Sequence, residues 1–335
     1  MVMAHRPAAA MPSQTGADAV PAATAALTAW SARHPELTTG RLAVAYSGGA
    51  DSTALLLAAQ TAFPGRVQAL HIDHGLQPAA ADFASHARTF CAQRSIALTV
   101  DRVQAAHVQG ESPEEAARHA RYLALATLAR QLGCGAVLLG QHAQDQAETL
   151  LLALSRGAGL AGLAGMPERF TRHGMVFGRP LLAMDAAELR AELRAPYVND
   201  PTNTDTRYTR NRIRLHVLPA LQQAFPQFAD TFARSARHAA QAQALLDELA
   251  QADLSACGQP PRLAPLQALS RARQANLLRH WLRAEGSRAP SEAQLNECLD
   301  QIAACRTRGH HIALKVADGW VLRSGPALCF QHAAR

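Results

Sequence analysis

The chain has 335 residues, of which 48% are hydrophobic and 18% are charged. This length predicts two domains or three, and the apolar content excludes a wholly disordered chain because it suffices for sizeable cores. The formal net charge is +7, which favours a polyanionic partner such as nucleic acid.

From residue 41 the sequence alternates short apolar runs with segments of helical spacing. The runs predict buried parallel strands at 41–47, 67–73, 97–103 and 136–140. The segments of helical spacing predict helices at 51–62, 79–94, 113–132 and 143–155. Strands that alternate with helices of this length are typical of βαβ units. The sequence therefore predicts an α/β fold with a doubly wound, mostly parallel, Rossmann-like sheet.

The pattern changes after residue 182. A polar, turn-rich segment leads into dense arginine at 196–216, and an Ala-rich stretch predicts one long helix at 227–252. Further on, the spacing predicts helices at 270–285 and 291–304 and strands at 311–317 and 319–323, which together indicate a small α+β domain. We predict a disordered tail at 1–22, a sheet domain at 23–216, a helical linker at 217–258 and the small domain at 259–335.

Several classes of protein are not expected. The six cysteines include no C-x-x-C pair, so neither a disulfide framework nor a zinc module is predicted. The N-terminal residues lack the apolar core of a signal peptide, and no run of about 18 apolar residues occurs. We expect a cytoplasmic protein without a membrane span.

Polar residues follow three of the predicted strands. They form the groups Ser47 to Ser52, Asp73-His74-Gly75 and Gly140-Gln141-His142. Sheets of this kind bind ligands outside the carboxyl ends of their strands. We therefore expect the three groups to converge at one edge of the sheet and to form the functional site.

The loop "SGGADS" at 47–52 has the features of an anion site. It follows a strand and opens a helix, so backbone N–H groups and the helix dipole point to one place. Asp51 would repel a phosphate directly, which suggests that it holds a bridging Mg²⁺. A Walker sequence is absent. Two glycines at such a turn also occur for steric reasons alone, so the loop by itself leaves both interpretations open.

An ordered set of segments resembles one family. "SGGADS" resembles the pyrophosphate loop of the ATP-pyrophosphatase, or PP-loop, superfamily, whose members split ATP into AMP and pyrophosphate. Later segments are similar to the bacterial tRNA(Ile)-lysidine synthases, and they are "LHIDHGLQPAAADF" (70–83), "EEAARHARY" (114–122), "HAQDQAETLLLALSRGAGLAGLAGM" (142–166), "RPLL" (179–182), "NDPTNTDTRYTRNRIR" (199–214) and "LLRHWLRAEGSRAPSEAQL" (277–295). The resemblance covers about residues 41 to 330.

This resemblance implies a two-step ligation of free L-lysine to a tRNA(Ile) with a CAU anticodon. ATP first adenylates O2 of the wobble cytidine, and the ε-amine of lysine then displaces AMP at C2. The modified tRNA reads AUA instead of AUG. ATP and Mg²⁺ are the implied cofactors, the 259–335 domain would recognise tRNA, and a homodimer is left open.

The resemblance also implies roles for individual residues. ATP would be bound by Ser47, Gly48, Gly49, Ala50, Asp51, Ser52, His71 and His74. Mg²⁺ would be held by Asp51 and Asp145. The catalytic residues would be Asp51, Arg118, His142, Asp145 and Glu148, with Glu148 anchoring the ammonium group of lysine. The tRNA would be bound by Arg207, Tyr208, Arg210, Asn211, Arg212 and Arg214, a cluster suited to phosphates and stacked bases.

Each of these residues also has a purely structural interpretation. Asp145 and Glu148, three residues apart on one helix, could form an ordinary solvated face, although the helix follows a strand that ends at the expected site. Arg118 could pair with Glu115 within its helix. The arginine cluster could be a basic helix start, with Asn211 fixing the loop before it.

The sequence departs from the family pattern His-His-x-Asp-Asp-Gln. Gln141 and Gln144 stand where a histidine and an acid are usual. If the missing acid binds metal in the relatives, these changes would weaken metal binding here.

Two alternatives follow. A tRNA thiolation enzyme of the same superfamily would need paired cysteines, but Cys91 and Cys134 are isolated. A non-catalytic ATP- and tRNA-binding relative is supported by Gln144 alone.

Overall fold

The computed structural model describes residues 20–73, 80–103, 113–307 and 309–333. The chain divides into two compact units, the first ending at Arg237 and the second beginning at His238. This division lies within the predicted linker at 217–258, while the four-segment organisation stays a prediction.

The helices and strands of the first unit alternate along most of its length. In chain order they are α1 (Pro21–Arg33), β1 (Arg41–Ala45), α2 (Ala50–Ala62), β2 (Val67–Asp73), α3 (Ala80–Gln93), β3 (Ala97–Arg102), α4 (Pro113–Gln131), β4 (Cys134–Leu138), α5 (Ala143–Ser155), α6 (Leu160–Leu163), β5 (Arg169–Arg172), β6 (Met175–Gly178), α7 (Ala186–Glu192), α8 (Thr209–Arg212), α9 (Leu218–Ala224) and the start of α10 (Phe228–Cys257). A π-helical turn, Ile213–Val217, joins α8 to α9.

The six strands form one sheet in the order β3-β2-β1-β4-β6-β5. All neighbouring pairs are parallel except β5 and β6, which form an antiparallel hairpin at one edge. The predicted α/β fold with a mostly parallel sheet is confirmed. Because β1 lies between β2 and β4, the strand order reverses beside β1, and such a reversal opens a crevice at the carboxyl ends of the strands.

Apolar side chains cover both faces of this sheet. One core contains Trp30 of α1 and the leucines of α2, and the other contains Tyr122 of α4 beside Phe177 of β6. A methyl group on Gly178 would lie 2.4 Å from the Trp30 ring, so glycine allows α1 to pack closely on β6. Burying a tryptophan of about 200 Å² contributes about 5 kcal/mol before entropy costs.

In the second unit, the described residues form the remainder of α10, three further helices and a small sheet. These are α11 (Leu263–Ala268), α12 (Arg271–Ala284), α13 (Glu292–Ala304), β7 (Ala313–Val316), β8 (Gly319–Ser324) and β9 (Ala327–His332). The sheet is antiparallel in the order β7-β8-β9. One face carries Val316, Val321 and Leu328 into the core.

The opposite face of the small sheet is open. Its register places Lys315, Trp320 and Gln331 in one row across the three strands, and all three side chains are exposed. We call this row the 315–320–331 row. In the parts of the chain that the structure describes, no helix is long and apolar enough to cross a bilayer.

Candidate active site

A cavity of about 730 Å³ opens in the first unit at the carboxyl ends of β1, β2 and β4. Its volume is in the range of small-molecule sites. The three predicted polar groups contribute to its wall through residues from 47–52, Asp73 and residues 140–142. The expected convergence is therefore found, although His74 and Gly75 lie outside the described residues.

The 47–52 loop is closed on itself by its two serines. Ser52 Oγ accepts a hydrogen bond from Ser47 N (3.2 Å), lies 3.0 Å from Ser47 Oγ and donates to Gly49 O (3.0 Å). Gly48 has φ +87°, which favours glycine. The loop therefore brings two hydroxyls and the N-terminus of α2 to the cavity.

The strand end after β4 approaches this loop very closely. A methyl group on Gly140 would lie 2.9 Å from the backbone oxygen of Asp51. Only glycine therefore lets the loop after β4 and the start of α2 meet, and this contact brings His142 beside Asp51.

His142 lies between two carboxylates. Its Nε2 is 3.5 Å from Asp51 Oδ2 and 3.5 Å from Asp145 Oδ2. Burial lowers the pKa of His142, but the two carboxylates outweigh it and the net pKa is raised. Burial would raise the pKa of Asp51, but His142, Arg190 and Arg214 lower it overall. The site thus keeps Asp51 ionised at neutral pH.

One oxygen of this cluster has unused bonding capacity. Asp51 Oδ1 is buried and has no hydrogen-bond partner among the described residues. A buried, unpaired carboxylate oxygen is costly unless a ligand satisfies it. Mg²⁺ commonly binds one or two carboxylates together with substrate phosphates. Asp51 and Asp145 therefore fit the metal site predicted for them.

Glu148 is fully buried and paired with arginine. Arg214 donates to both of its oxygens, through Nε to Oε1 (2.7 Å) and Nη2 to Oε2 (3.1 Å), and Arg210 Nε lies 3.3 Å from Oε2. Burial raises the pKa of Glu148, and the pKa of Arg214 is raised by Glu148 in spite of its own burial; the two hydrogen bonds favour the charged pair. Arg214 also lies 3.5 Å from Asp145 and lines the cavity. Arg214, and not Glu148, therefore faces the cavity.

The predicted tRNA-binding cluster is split by the structure. Arg210 and Arg214 turn towards Glu148, and buried Asn211 donates to the carbonyls of Thr202 (2.7 Å) and Asp205 (2.9 Å). Asn211 therefore fixes the loop. The remaining three side chains are exposed, and they are Arg207, Tyr208 and Arg212.

Two further predicted residues occupy different positions relative to the cavity. His71 lines it, is buried, and has Nδ1 2.9 Å from Tyr46 O; burial lowers its pKa. Arg118 is half-buried, with its guanidinium 5.4 Å from the centre of the Tyr122 ring. It is not among the described residues that line the cavity. The side chain of Glu115 lies outside the described residues.

Sequence reasoning missed two arginines that line the cavity. Arg121, one turn after Arg118 on α4, lies at its wall, and so does Arg190 of α7. Spacing on α4 could have suggested Arg121, because residues three apart share a helix face. No pattern in the sequence connects Arg190 to the 47–52 loop.

Gln141 and Gln144, which stand where a histidine and an acid are usual in the family, both form hydrogen bonds. Gln141 Nε2 donates to Met166 Sδ (3.1 Å), and Gln141 Oε1 accepts from Arg179. Gln144 Nε2 donates to Asp185 Oδ2 (2.6 Å). Gln144 is not among the described residues of the cavity wall.

Comparison with known proteins identifies the family. A PP-loop domain model matches residues 24–221, and a TilS substrate binding domain model matches residues 262–328. The tRNA(Ile)-lysidine synthase of Polaromonas naphthalenivorans is 62% identical over 88% of this chain and 90% of its own. The chain belongs to the tRNA(Ile)-lysidine synthase family. The resemblance inferred from the ordered motifs is thereby confirmed.

Other members of the tRNA(Ile)-lysidine synthase family differ in length. The protein of Bordetella pertussis is 42% identical over 81% of this chain and 88% of its own. That of Burkholderia pseudomallei is 44% identical over 84% of this chain, but the match spans only 59% of its own length. Among solved structures, the U34-tRNA thiolase NcsA of Methanococcus maripaludis has a TM-score of 0.54 at 14% identity, covering 65% of this chain and 77% of its own. This likeness shows the shared fold.

Proposed function

We propose that the chain ligates lysine to C2 of the wobble cytidine of a tRNA(Ile) with a CAU anticodon, at the cost of ATP. The observation that carries this function is the meeting of the 47–52 loop with Asp51, His142 and Asp145 at one cavity, in a chain of the tRNA(Ile)-lysidine synthase family. The products are the modified tRNA, AMP and pyrophosphate.

In the first step the cytidine O2 attacks the α-phosphorus of ATP. The new O–P bond forms as the bond to the β-phosphate breaks, and pyrophosphate leaves with the electron pair. Ser47, Ser52 and the backbone N–H groups at the start of α2, which border the cavity, would hold the phosphates. His71, at the end of β2, is assigned to the adenosine side of the cavity.

Asp51 and Asp145 would hold Mg²⁺, which when bound neutralises charge on the phosphates. His142, whose Nε2 lies beside both carboxylates, fixes their orientation. It also keeps Asp51 charged, because its interaction lowers the pKa of that carboxyl.

In the second step the ε-amine of lysine attacks C2 of the adenylated cytidine. A C–N bond forms, the C2–O bond breaks with its electron pair going to AMP, and the proton lost from the amine passes to the Asp145 carboxylate. Since Glu148 is paired with Arg214, we assign the lysine amine in this second step to Asp145, the acidic side chain of α5 that lines the cavity, whereas the metal-holding role of Asp145 belongs to the first step. Glu148 then acts by holding Arg214 in place. Arg118 keeps its proposed catalytic role. Of these two arginines of α4, Arg121 is the one that lines the cavity.

The tRNA contacts are assigned to exposed residues in both units. In the first unit these are Arg207, Tyr208 and Arg212, which combine cations with an aromatic ring. In the second unit it is the 315–320–331 row, an open sheet face with a cation, an indole and an amide. A homodimer stays a prediction.

The thiolation alternative lacks support from the geometry. Cys91 and Cys134 are buried in α3 and β4, and the described wall of the cavity contains no cysteine. A persulfide or thiolate chemistry would need a sulfur at the site. The ligase is therefore the function that we test.

The test measures transfer of labelled lysine to tRNA. Protein, ATP, Mg²⁺ and labelled lysine are incubated with an unmodified isoleucine CAU tRNA, and a methionine tRNA serves as control. We expect label on the isoleucine tRNA alone, lost in Asp51→Asn and kept in Asp230→Asn, whose carboxylate is exposed on α10. If wild type binds ATP and tRNA but transfers no label, the protein is a non-catalytic relative.

A further inference from the structure

Helix α7 is fastened to the start of α5 by three hydrogen bonds. Gln144 Oε1 accepts from Ala186 N (2.9 Å), and Gln144 Nε2 donates to Asp185 Oδ2 (2.6 Å). One residue earlier on each side, Ala143 N donates to Met184 O (3.0 Å). The beginning of α7 is thus joined to the helix that carries Asp145.

The amide at position 144 is suited to this junction. Asp185 caps α7 with its other oxygen, which accepts from Ala187 N (2.7 Å), so its carboxylate needs a donor and not a second acid beside it. Glutamine supplies one donor and one acceptor at once. An acid at 144 could accept from Ala186 but would face the Asp185 carboxylate with like charge. The departure from the family pattern therefore has a structural purpose here.

Helix α7 carries Arg190 to the cavity. Arg190 lines the wall, and its Nη2 lies 3.8 Å from Asp51 Oδ2. The Arg190–Asp51 ion pair has a long separation, and the Arg190 side chain is 54% exposed. This ion pair therefore contributes little to folding stability. His142 is closer to the same carboxylate, at 3.5 Å. The Arg190 guanidinium therefore lies beside the 47–52 loop and forms only a weak ion pair with Asp51 there.

The 47–52 loop needs cations that it does not contain. It has no lysine of the Walker type, and the chain's single lysine is Lys315 in the second unit. Of the arginines at the cavity, Arg214 is committed to Glu148 and Asp145. Arg121 lies on α4, 5.8 Å from the centre of the Tyr122 ring. Arg190 is the one placed beside Asp51.

We propose that Arg190 contacts the phosphates of ATP at the 47–52 loop and that Gln144 is the residue that positions it. The inference rests on the proposed function. When the bond between the α- and β-phosphates breaks, the electron pair passes to a pyrophosphate oxygen. The guanidinium offers several N–H donors and a positive charge to such oxygens. Arg190 thereby stabilises the leaving pyrophosphate, while Asp51 is left to Mg²⁺.

The first experiment replaces the arginine and measures ATP use directly. Binding of ATP is measured by calorimetry, and pyrophosphate release is followed with tRNA and without lysine. We expect Arg190→Gln to raise Kd and KM for ATP about tenfold or more and to slow pyrophosphate release at saturating ATP, with tRNA affinity unchanged. Arg190→Lys should recover part of the loss. The matched control is Arg194→Gln, an exposed arginine just past α7.

The second experiment tests positioning by Gln144. Gln144→Glu keeps the acceptor but loses the donor to Asp185, and we expect KM for ATP to rise several-fold with Arg190 unchanged. The double variant Gln144→Glu/Arg190→Gln should be no worse than Arg190→Gln, because both act through one group. Fully additive losses would overturn the positioning role. A merely structural role would lower the thermal midpoint without changing KM for ATP.

The outcomes separate this inference from the proposed function. If wild type transfers lysine but Arg190→Gln matches Arg194→Gln in ATP affinity and pyrophosphate release, only the role of Arg190 is wrong. If wild type transfers no lysine, the proposed function fails, and calorimetry with ATP still decides whether Arg190 binds the phosphates.

Discussion

At the scale of single residues, the Glu148–Arg214 pair has two interpretations, which predict different effects when Arg214 is replaced. Arg214 could serve tRNA, as its place in the arginine cluster suggests. The structure instead gives it two hydrogen bonds to a carboxylate that has 0% exposed side-chain area. Removing the partner of a buried charge is far more costly than removing a solvated one.

We therefore expect Arg214→Ala to lower the free energy of unfolding by about 2–4 kcal/mol, with Arg210 limiting the loss. Denaturant titration measures this change in the free energy of unfolding. Arg212→Ala is the matched control because Arg212 is exposed on the same segment. Adding Glu148→Gln to Arg214→Ala should recover at least half, since no buried charge is then left unpaired. Equal stability of the two single variants would favour an RNA-contact role for Arg214.

The sequence predicts some residues of the cavity wall and not others for a physical reason. Asp51, His142 and Asp145 follow strand ends, and parallel strands fix where their ends meet. Arg190 depends on how a seven-residue helix docks, which side-chain hydrogen bonds decide and no periodicity records. Gln144 replaces an acid of the family pattern, which suggests weakened metal binding; its hydrogen-bond partner Asp185 is 41 residues away, where no sequence pattern connects the two.

At the scale of elements, long periodic segments were predicted well and short ones were not. The predicted bounds of α5 and β2 agree with the structure. The hairpin β5–β6 was missed because its strands have four residues each. Helix α1 was missed because its alanine-rich sequence looks like the preceding tail. Strand β4 begins at Cys134, two residues before the predicted start, because Cys134 pairs with Arg41 of β1 across an irregularity in the register at Gly135.

Helix α13 carries a thiol that makes its packing sensitive to alkaline pH. Cys298 is buried in the second core, and burial raises its pKa from 9.0 to about 12. A group whose folded pKa is raised stabilises the protein below its unfolded pKa and loses that contribution as pH rises towards the folded value. The window for Cys298 therefore lies between about pH 9 and about pH 12.

Between about pH 8 and about pH 10, we expect wild type to lose about 1 kcal/mol more unfolding free energy than Cys298→Ala. Urea titrations at the two pH values measure this difference. Cys329→Ala is the control, because Cys329 of β9 is only half-buried. If wild type and Cys298→Ala lose stability in parallel, the thiol titrates no differently in the folded chain.

At the scale of the whole molecule, the three tryptophans report on different environments. Trp30 and Trp281 are 0% and 2% exposed, whereas Trp320 is 42% exposed. Acrylamide therefore quenches mainly the emission of Trp320. An exposed indole beside a lysine on an open sheet face is suited to base stacking next to a phosphate.

If the second unit contacts tRNA through the 315–320–331 row, tRNA should protect Trp320 from acrylamide. Trp320→Ala should weaken tRNA binding about tenfold, whereas Trp320→Phe should weaken it less because an aromatic face remains. ATP affinity should not change in either variant. Equal quenching of Trp320 with and without saturating tRNA would place the RNA elsewhere.

The wall of the cavity is built from residues between Ala45 and Leu215. During synthesis the 47–52 loop emerges early, yet its surroundings are complete only when almost two thirds of the chain has been translated. The second edge of β1 also stays unpaired until β4 has been synthesised. A nascent chain therefore exposes an unfinished parallel sheet through this interval. ATP stabilises the protein only after that point, because a ligand acts on the folded site alone.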